Sequence, residues 1–385
     1  MVSKYLAVTA AALQSVNAAR PFLEAPDTGL ADIVSNVTVG SLPELDDMVG
    51  LPDFDWAAQN YLPIKNYTYY RNGAGGEWSY RNNLEVYNRY RFIPRQLQDI
   101  TNIEASLNTT ILGYQFDNPF FISPCAKAEY GHPDAELNLV QGAAYGGIPY
   151  IVSGYSSLPY ETIAAAAGDN QTLFSQIYFT TNVTENIALL KSAEAQGAKA
   201  VVWSVDSPGS PDRQRAARYA VSSANTEFVK NTWEVYDSYR NATSLPIVLK
   251  GIQNVQDARL AVNHGVPAII LSNHGGRNLD GSPSSLEIAL EIYNNDPDIF
   301  NQIEVLADGG VRYGTDALRL LALGVKAVGL GRPVMFANVF GVDGIKKVVD
   351  LMRAAIMNDA ANLGVGDLKS INASYVNWTP NSWYS

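Results

Sequence analysis

Eight short apolar runs recur from residue 119 onwards, each stopped by glycine, proline or a polar residue. They read "PFFISP" (119–124), "PYIVSG" (149–154), "LFSQIY" (173–178), "AVVWSVD" (200–206), "PIVLKG" (246–251), "AIILSN" (268–273), "IEVLAD" (303–308) and "AVGLGR" (327–332). Near-continuous apolar, β-branched runs of this length are what strands buried on both faces require. Between most of them lie amphipathic segments such as "NVQDARLAVNHG" (254–265) and "GTDALRLLALG" (314–324). Asn254 and Asp257 stand near a helix start there, and Gly265 and Gly324 stand where helices stop. Strand and helix alternating eight times predicts an α/β fold, a (β/α)8 TIM barrel, with an N-terminal helical extension before it. A doubly wound sheet is the alternative. No run leads into a G-x-G-x-x-G turn, however, and "GLGRPV" lacks the last glycine.

Composition narrows the function. Hydrophobic residues make up 47% of the 385-residue chain and charged ones 17%, enough apolar content for a large core. A net charge of -11 argues against a nucleic-acid surface, which needs a basic footprint. The single cysteine, Cys125, excludes an internal disulfide and a cysteine-based zinc cluster. No apolar run approaches the ~18 residues of a membrane helix, so no membrane span is expected.

The N-terminus reads differently. "MVSKYLAVTAAALQSVNAA" offers Lys4, an apolar stretch from Tyr5 to Leu13 and small residues near Val16 to Ala19. That pattern predicts a signal peptide over 1–19 and a secreted protein; an ordinary N-terminal helix is the alternative. Asn36, Asn66, Asn108, Asn170, Asn182, Asn241, Asn372 and Asn377 each begin an N-x-S/T triplet, which fits a glycoprotein. The expected organisation is a signal peptide (1–19), an N-terminal extension (20–54), the barrel domain (55–375) and a C-terminal tail (376–385).

In such barrels the C-terminal strand ends carry the chemistry. Here they read Pro124, Ser153, Gln176 with Tyr178, Asp206, Lys250, Asn273 with His274, Asp308, and Gly331 with Arg332. "ADGGVR" (307–312) and "GLGRP" (329–333) follow strands seven and eight, where barrels build a phosphate cradle, so the ligand is expected to carry a phosphate. "LSNHGGRNLDG" (271–281) sets one of only three histidines against Gly275, Gly276 and Arg277. A neutral imidazole at His274 can take a proton near physiological pH, and Arg277 can grip a carboxylate through two parallel hydrogen bonds. Asp206 can hold the imidazolium as it forms, and Lys250 offers a fixed charge for a cofactor that becomes negative when reduced. Asp206 read alone is equally a salt-bridge partner, and Lys250 alone a phosphate ligand. His132, in "GHPDAE", reads as a loop or cap residue, and His264 as a surface cation at a helix end.

With these motifs in hand, the chain resembles the FMN-dependent 2-hydroxy acid oxidases and dehydrogenases, a family that includes glycolate oxidase, lactate oxidase and the flavin domain of flavocytochrome b2. The likeness runs from about Asp55 to about Tyr375. It rests on "SNHGGRNLD" together with "YYRNGAGGEW" (69–78), "RFIPRQLQDIT" (91–101), "TSLPIVLKG" (243–251), "DARLAVNHG" (257–265) and "ADGGVRYGTD" (307–316). The resemblance implies that His274 is the base, Asp206 its electrostatic partner, and Arg277 with Tyr69 the holder of the substrate carboxylate. Tyr178 would bond to the hydroxyl or carboxylate side, and Arg213 matches a second arginine kept near the site. Lys250 would sit by the flavin N1 and O2 edge. Pro124, Cys125, Ala126, Ser153, Gln176, Ser204 and Ser272 would line the ring, and Asp308, Gly309, Gly310, Arg312, Gly331 and Arg332 would bind the ribityl phosphate.

Three departures stand out. Tyr155 replaces a tryptophan that shapes the substrate pocket of glycolate oxidases. "PCAK" at 124–127 replaces the common "PTAM", bringing in Cys125 and Lys127. The stretch between strands four and five, about 209–243, is shorter than the family's usual loop. All three are expected to alter the pocket. No haem-binding domain precedes Asp55, so an internal cytochrome acceptor is not expected. The function implied is oxidation of a small, lactate-like L-2-hydroxy acid to the 2-oxo acid, with FMN as cofactor and O2 as acceptor, releasing peroxide. Barrels of this family often form homotetramers. The competing readings are a flavin-binding barrel without turnover, a hydroxy acid dehydrogenase or monooxygenase with another fate for the electrons, and a phosphate-binding barrel without flavin.

Overall fold

The computed structural model describes residues 28–222 and 227–381. The expected signal peptide lies outside the described residues, as does the end of the C-terminal tail. All eight apolar runs form strands: β1 (Phe120–Ile122), β2 (Tyr150–Val152), β3 (Leu173–Ile177), β4 (Val201–Ser204), β5 (Ile247–Ile252), β6 (Ala268–Leu271), β7 (Glu304–Asp308) and β8 (Val328–Leu330). They close into one parallel barrel in chain order, β8 pairing with β1 through Val328–Phe120 and Leu330–Ile122. The sequence-predicted (β/α)8 architecture is therefore the observed one.

The labelled helices are α1 (Leu51–Tyr61), α2 (Ile64–Arg71) and α3 (Trp78–Glu85) before the barrel, then α4 (Gln214–Arg218), α5 (Val255–Asn263), α6 (Gly314–Ala322) and α7 (Arg332–Ala337). The expected helix signals hold locally. The Asn254 side chain caps α5 by accepting from the Asp257 N–H, and Gly265 and Gly324 follow their helices with φ of 66° and 105°. Among the described residues, no helix is long and apolar enough to cross a membrane.

Two-residue alternation along the strands divides the barrel interior into storeys. The floor is apolar: Phe121, Ile151, Phe174, Val202, Val248, Ile270 and Leu306 form one buried cluster. A hairpin of Thr109–Ile111 and Tyr114–Phe116 adds Ile111 and Phe116 to it. Two residues further along the same strands stand Ser123, Ser153, Gln176, Ser204, Lys250, Ser272 and Asp308, all buried. One step of the pleat thus turns a core into a polar floor for the cleft above.

The β5–β6 ladder slips between Lys250 and Ile252, leaving Gly251 as a bulge with φ 107°. Bulges re-aim neighbouring side chains. A Cβ at Gly251 would come within 2.5 Å of the Asp206 carboxyl carbon and Cβ, so this glycine makes the room in which Asp206 sits.

Candidate active site

The polar storey is internally bonded. The Lys250 ammonium donates to Ser272 Oγ at 2.9 Å and lies 3.4 Å from Asp308 Oδ2. The hydroxyls of Ser123 and Ser272 donate to the two Asp308 oxygens at 3.0 and 2.5 Å. Burial works against the Lys250 charge, but Asp308 and Asp206 more than offset it and hold its pKa above the ordinary value. Lys250 is thus a fixed cation at the base of the cleft.

Above it, the chain leaving β6 makes a bend in which His274, Gly275 and Gly276 all adopt the left-handed conformation, at φ 58°, 65° and 71°. Gly275 and Gly276 adopt this conformation without steric cost, but His274 carries a side chain and shares it. A non-glycine residue is held there only when its surroundings fix it. They do. The His274 N–H donates to Ser272 Oγ, Nδ1 lies 2.9 Å from Asp206 Oδ1, and Nε2 lies 3.2 Å from the Tyr178 hydroxyl. The Asp206 side chain is fully buried. Burial opposes its ionisation, yet His274 and Lys250 hold its pKa below the ordinary carboxylate value. Burial also lowers the His274 pKa, outweighing the pull of Asp206 in the other direction. The imidazole is accordingly neutral at neutral pH. It has a carboxylate behind Nδ1 and a phenol in front of Nε2.

Two arginines flank this imidazole. Arg277 Nη1 donates to the carbonyls of Tyr69 and Tyr70, at 2.9 and 3.2 Å. Arg213 donates to the Arg277 carbonyl at 2.8 Å and to Asn278 Oδ1 at 3.0 Å. Neither pairs with a carboxylate among the described residues. Burial, then the charge of Arg213, pushes Arg277 down to about 10. Two half-buried like charges whose partners among the described residues are neutral oxygens make a site that an anion would stabilise. Tyr69 completes the wall, its ring centroid 5.8 Å from the Arg277 guanidinium. Tyr155 stacks on Tyr178 with centroids 5.1 Å apart.

At the far end of the cleft, Gly309, Gly310, Arg312, Gly331 and Arg332 gather after β7 and β8. Gly310 has φ 85°, and a Cβ there would lie 1.8 Å from the Asn83 carbonyl oxygen. Asn83 and Asn273 exchange two 2.8 Å side-chain hydrogen bonds beneath it, and the Tyr87 hydroxyl donates to the Gly309 carbonyl. Backbone this close, with two arginines beside it, suits a terminal phosphate. Arg332 is also a brace: its Nε, Nη1 and Nη2 donate to the carbonyls of Tyr70, Gly275 and Asn72. Cations at both ends and small polar side chains between them fit a flavin mononucleotide. A carboxylate repels phosphate, so Asp308, bonded to two serines and Lys250, suits a ribityl hydroxyl better.

Of the residues given a catalytic, substrate or flavin role in the sequence, all but four line this one cleft. Gln176, Ser204, Ser272 and Asp206 lie behind its wall. Gln176 accepts from the Gly154 N–H and donates to Ser204 Oγ, so both brace the strand ends. Lys127 departs from expectation. It does not line the cleft; its ammonium lies 3.8 Å from Glu129, and its backbone is left-handed, φ 61°. Cys125 does line the cleft, with its thiol pushed up to about 11 by burial. Ser123, Asn83 and Gly251 were missed. Only Ser123 had a sequence signal, since it stands two residues after Phe121 in the pleat. His132 has the expected loop role, accepting from the Asp134 N–H, and His264 caps α5 beside Asp237.

The model of the FMN-dependent dehydrogenase family matches residues 58–231 and 220–378. The L-lactate dehydrogenase (cytochrome) of Saccharomyces cerevisiae is 32% identical over 378 residues, covering 90% of this chain and 64% of the relative. The corresponding enzyme of Wickerhamomyces anomalus is covered over 61% of its length, so the chain spans under two thirds of both cytochrome-type relatives. The 4-hydroxymandelate oxidase of Amycolatopsis orientalis is 34% identical, with 85% of this chain and 96% of that one covered. Among solved structures, the flavin-binding domain of baker's yeast flavocytochrome b2 superposes with a TM-score of 0.82 at 32% identity, covering 87% of this chain and 88% of that one. A mandelate oxidase gives 0.78 at 34%, covering 86% and 98%.

Proposed function

The chain belongs to the FMN-dependent dehydrogenase family, and from that premise we propose that it oxidises a small L-2-hydroxy acid to the 2-oxo acid, passing the electrons to O2 with release of hydrogen peroxide. The observation that carries this reading is the His274 imidazole, backed by Asp206 and set beside two half-buried arginines that pair with no carboxylate among the described residues. FMN would be held by Lys250, the Gly309–Gly310 turn, Arg312 and Arg332, and bound there it supplies a two-electron acceptor. Arg277 and Arg213 take the substrate carboxylate, with Tyr69 closing that side. His274 Nε2 removes the hydroxyl proton while the α-hydrogen leaves the carbon with its two bonding electrons, for which bound FMN would be the acceptor. Asp206 stabilises the resulting imidazolium through Nδ1, and general bases so placed contribute ~10²–10⁴ in rate. Tyr178, bonded to Nε2, orients the hydroxyl.

Relatives named as oxidases favour O2 as acceptor, and those named as cytochrome-type dehydrogenases favour a protein electron carrier. The purified protein should be yellow, with about one FMN per chain because the barrel has one phosphate cradle. Mixed with L-lactate in air, it should consume oxygen and release peroxide in equal amounts. Reduction of cytochrome c without oxygen uptake would assign the second acceptor, and absence of flavin would overturn the cofactor.

Export of the mature chain completes the reading. The sequons at Asn36, Asn108, Asn170, Asn182, Asn241, Asn372 and Asn377 are exposed. Asn66 is half-buried and its Nδ2 donates to the Tyr130 carbonyl, making it a poor acceptor for a glycan. Mass spectrometry of the mature protein should find cleavage near Ala19 and glycan outside Asn66. An intact Met1 in a cytosolic fraction would reject export.

A further inference from the structure

Three loops meet over the arginine end of the cleft: 72–77 between α2 and α3, 205–213 between β4 and α4, and the 273–280 bend after β6. Their contacts close a ring. Arg277 donates to the Tyr69 and Tyr70 carbonyls at the end of α2. The Ala74 N–H returns to the Gly276 carbonyl at 2.8 Å. From the 72–77 loop, the Gly75 N–H donates to the Asp212 carbonyl at 2.9 Å, and Arg213 donates back to the Arg277 carbonyl. One joint in this ring is made by side chains that touch neither the substrate end nor the phosphate end. Arg215 donates to both oxygens of Glu77, Nε to Oε1 at 2.7 Å and Nη2 to Oε2 at 2.8 Å.

This joint is built rather than incidental. The Glu77 side chain is only 9% exposed, and its residue is held left-handed at φ 62°. Its carboxylate also accepts from the Gly73 N–H at 3.1 Å and lies 3.4 Å from Arg71 Nη1. Arg71 in turn lies over the Tyr80 ring, whose other neighbour is the Arg332 guanidinium. Burial opposes ionisation of Glu77, but Arg215 and Arg71 outweigh it and keep the carboxylate charged. Arg213 and Arg215 stand two residues apart at the start of α4, so one bidentate pair sets where the other arginine's backbone lies.

We propose that Glu77 and Arg215 are positioning residues of the substrate clamp, locking the loop after β4 onto the α2–α3 loop so that Arg213, Arg277 and Tyr69 keep one fixed spacing for a carboxylate. The inference rests on the clamp reading above. It gives the start of α4 a task of its own, fastening the loop after β4 by charge.

The test uses FMN-loaded wild type, Arg215→Ala, Arg215→Lys, Glu77→Gln and the Arg215→Ala/Glu77→Gln double variant. KM and kcat for L-lactate, flavin per chain and thermal midpoint are read for each. Arg215→Ala should raise KM roughly 10- to 100-fold, the scale of a clamp misplaced by about 1 Å, with kcat less affected and flavin content unchanged. Lysine lacks the planar fork, so Arg215→Lys should recover only part of the loss. The double variant should be little worse than Arg215→Ala, as coupled partners require. The proposal falls if KM stays within about twofold in every variant. It also falls if KM, kcat and flavin content change together with the thermal midpoint. Should wild type oxidise no hydroxy acid, the functional reading fails on its own, and the lock is then read from pyruvate binding followed by the flavin spectrum. An unchanged pyruvate Kd in Arg215→Ala rejects it there.

Discussion

The floor of the barrel and the storey above it are built from the same strands, two residues apart, and they hold together by opposite means. Phe121, Ile151, Phe174, Val202, Val248, Ile270 and Leu306 interlock without a polar atom. One pleat on, Ser123, Gln176, Ser204, Lys250, Ser272 and Asp308 are just as buried, yet every one of them is hydrogen-bonded to another of the set. The floor's contribution scales with buried apolar area, and the storey's with having no polar group left unpaired. The lesson is that rigidity for chemistry is inherited from below. A strained residue such as His274 can be held because the strands it leaves are packed beneath it.

That division can be broken from either side. The largest effect is expected at the cradle. Gly310→Val should abolish FMN binding, since even a Cβ would lie 1.8 Å from the Asn83 carbonyl, and the colour of the purified protein checks it. Phe174→Ala, in the floor, should cost about 3–5 kcal/mol of stability. Its turnover per bound flavin should stay near wild type, as paired denaturation and activity measurements would show; a floor variant that lost activity first would blur the two regions. Arg277→Lys should raise KM about tenfold with a smaller change in kcat, because lysine cannot form the planar fork. The smallest effect is in pH. The folded His274 pKa is depressed, so the imidazole stays neutral as pH falls through its ordinary 6.5. The acid limb of kcat/KM should therefore lie below 6.5, where an unshifted imidazole would place it. The unfolded chain takes up that proton first, so the contribution of His274 to stability is present above 6.5 and is lost as pH falls below it.

How much of this was legible in the sequence differs between the two regions in the same way. The floor announced itself, because apolar runs of four to six residues bounded by glycine and proline have few other meanings, and all eight became strands. Polar strand ends pointed to the site, and His274, Asp206, Tyr178, Arg213 and Arg277 do come together. What stayed hidden depends on approach rather than residue type. Nothing in "KGI" marks Gly251 as the bulge that admits Asp206, and Ser123 is marked only by the two-residue alternation from Phe121, not by the end of its run. Arg332 looked like a phosphate ligand alone, but its three carbonyl bonds depend on where α2 ends. Lys127 likewise has a left-handed backbone that its neighbours in sequence do not announce.

The central claim is that His274, and not the flavin cradle, removes the substrate proton. Anaerobic mixing of L-lactate with FMN-loaded wild type and with His274→Ala, followed at the flavin absorption band, tests it most directly. Rapid bleaching in wild type, and bleaching at least ~10²-fold slower in the variant with its flavin still bound, is the predicted result. Equal bleaching rates in the two proteins would contradict it.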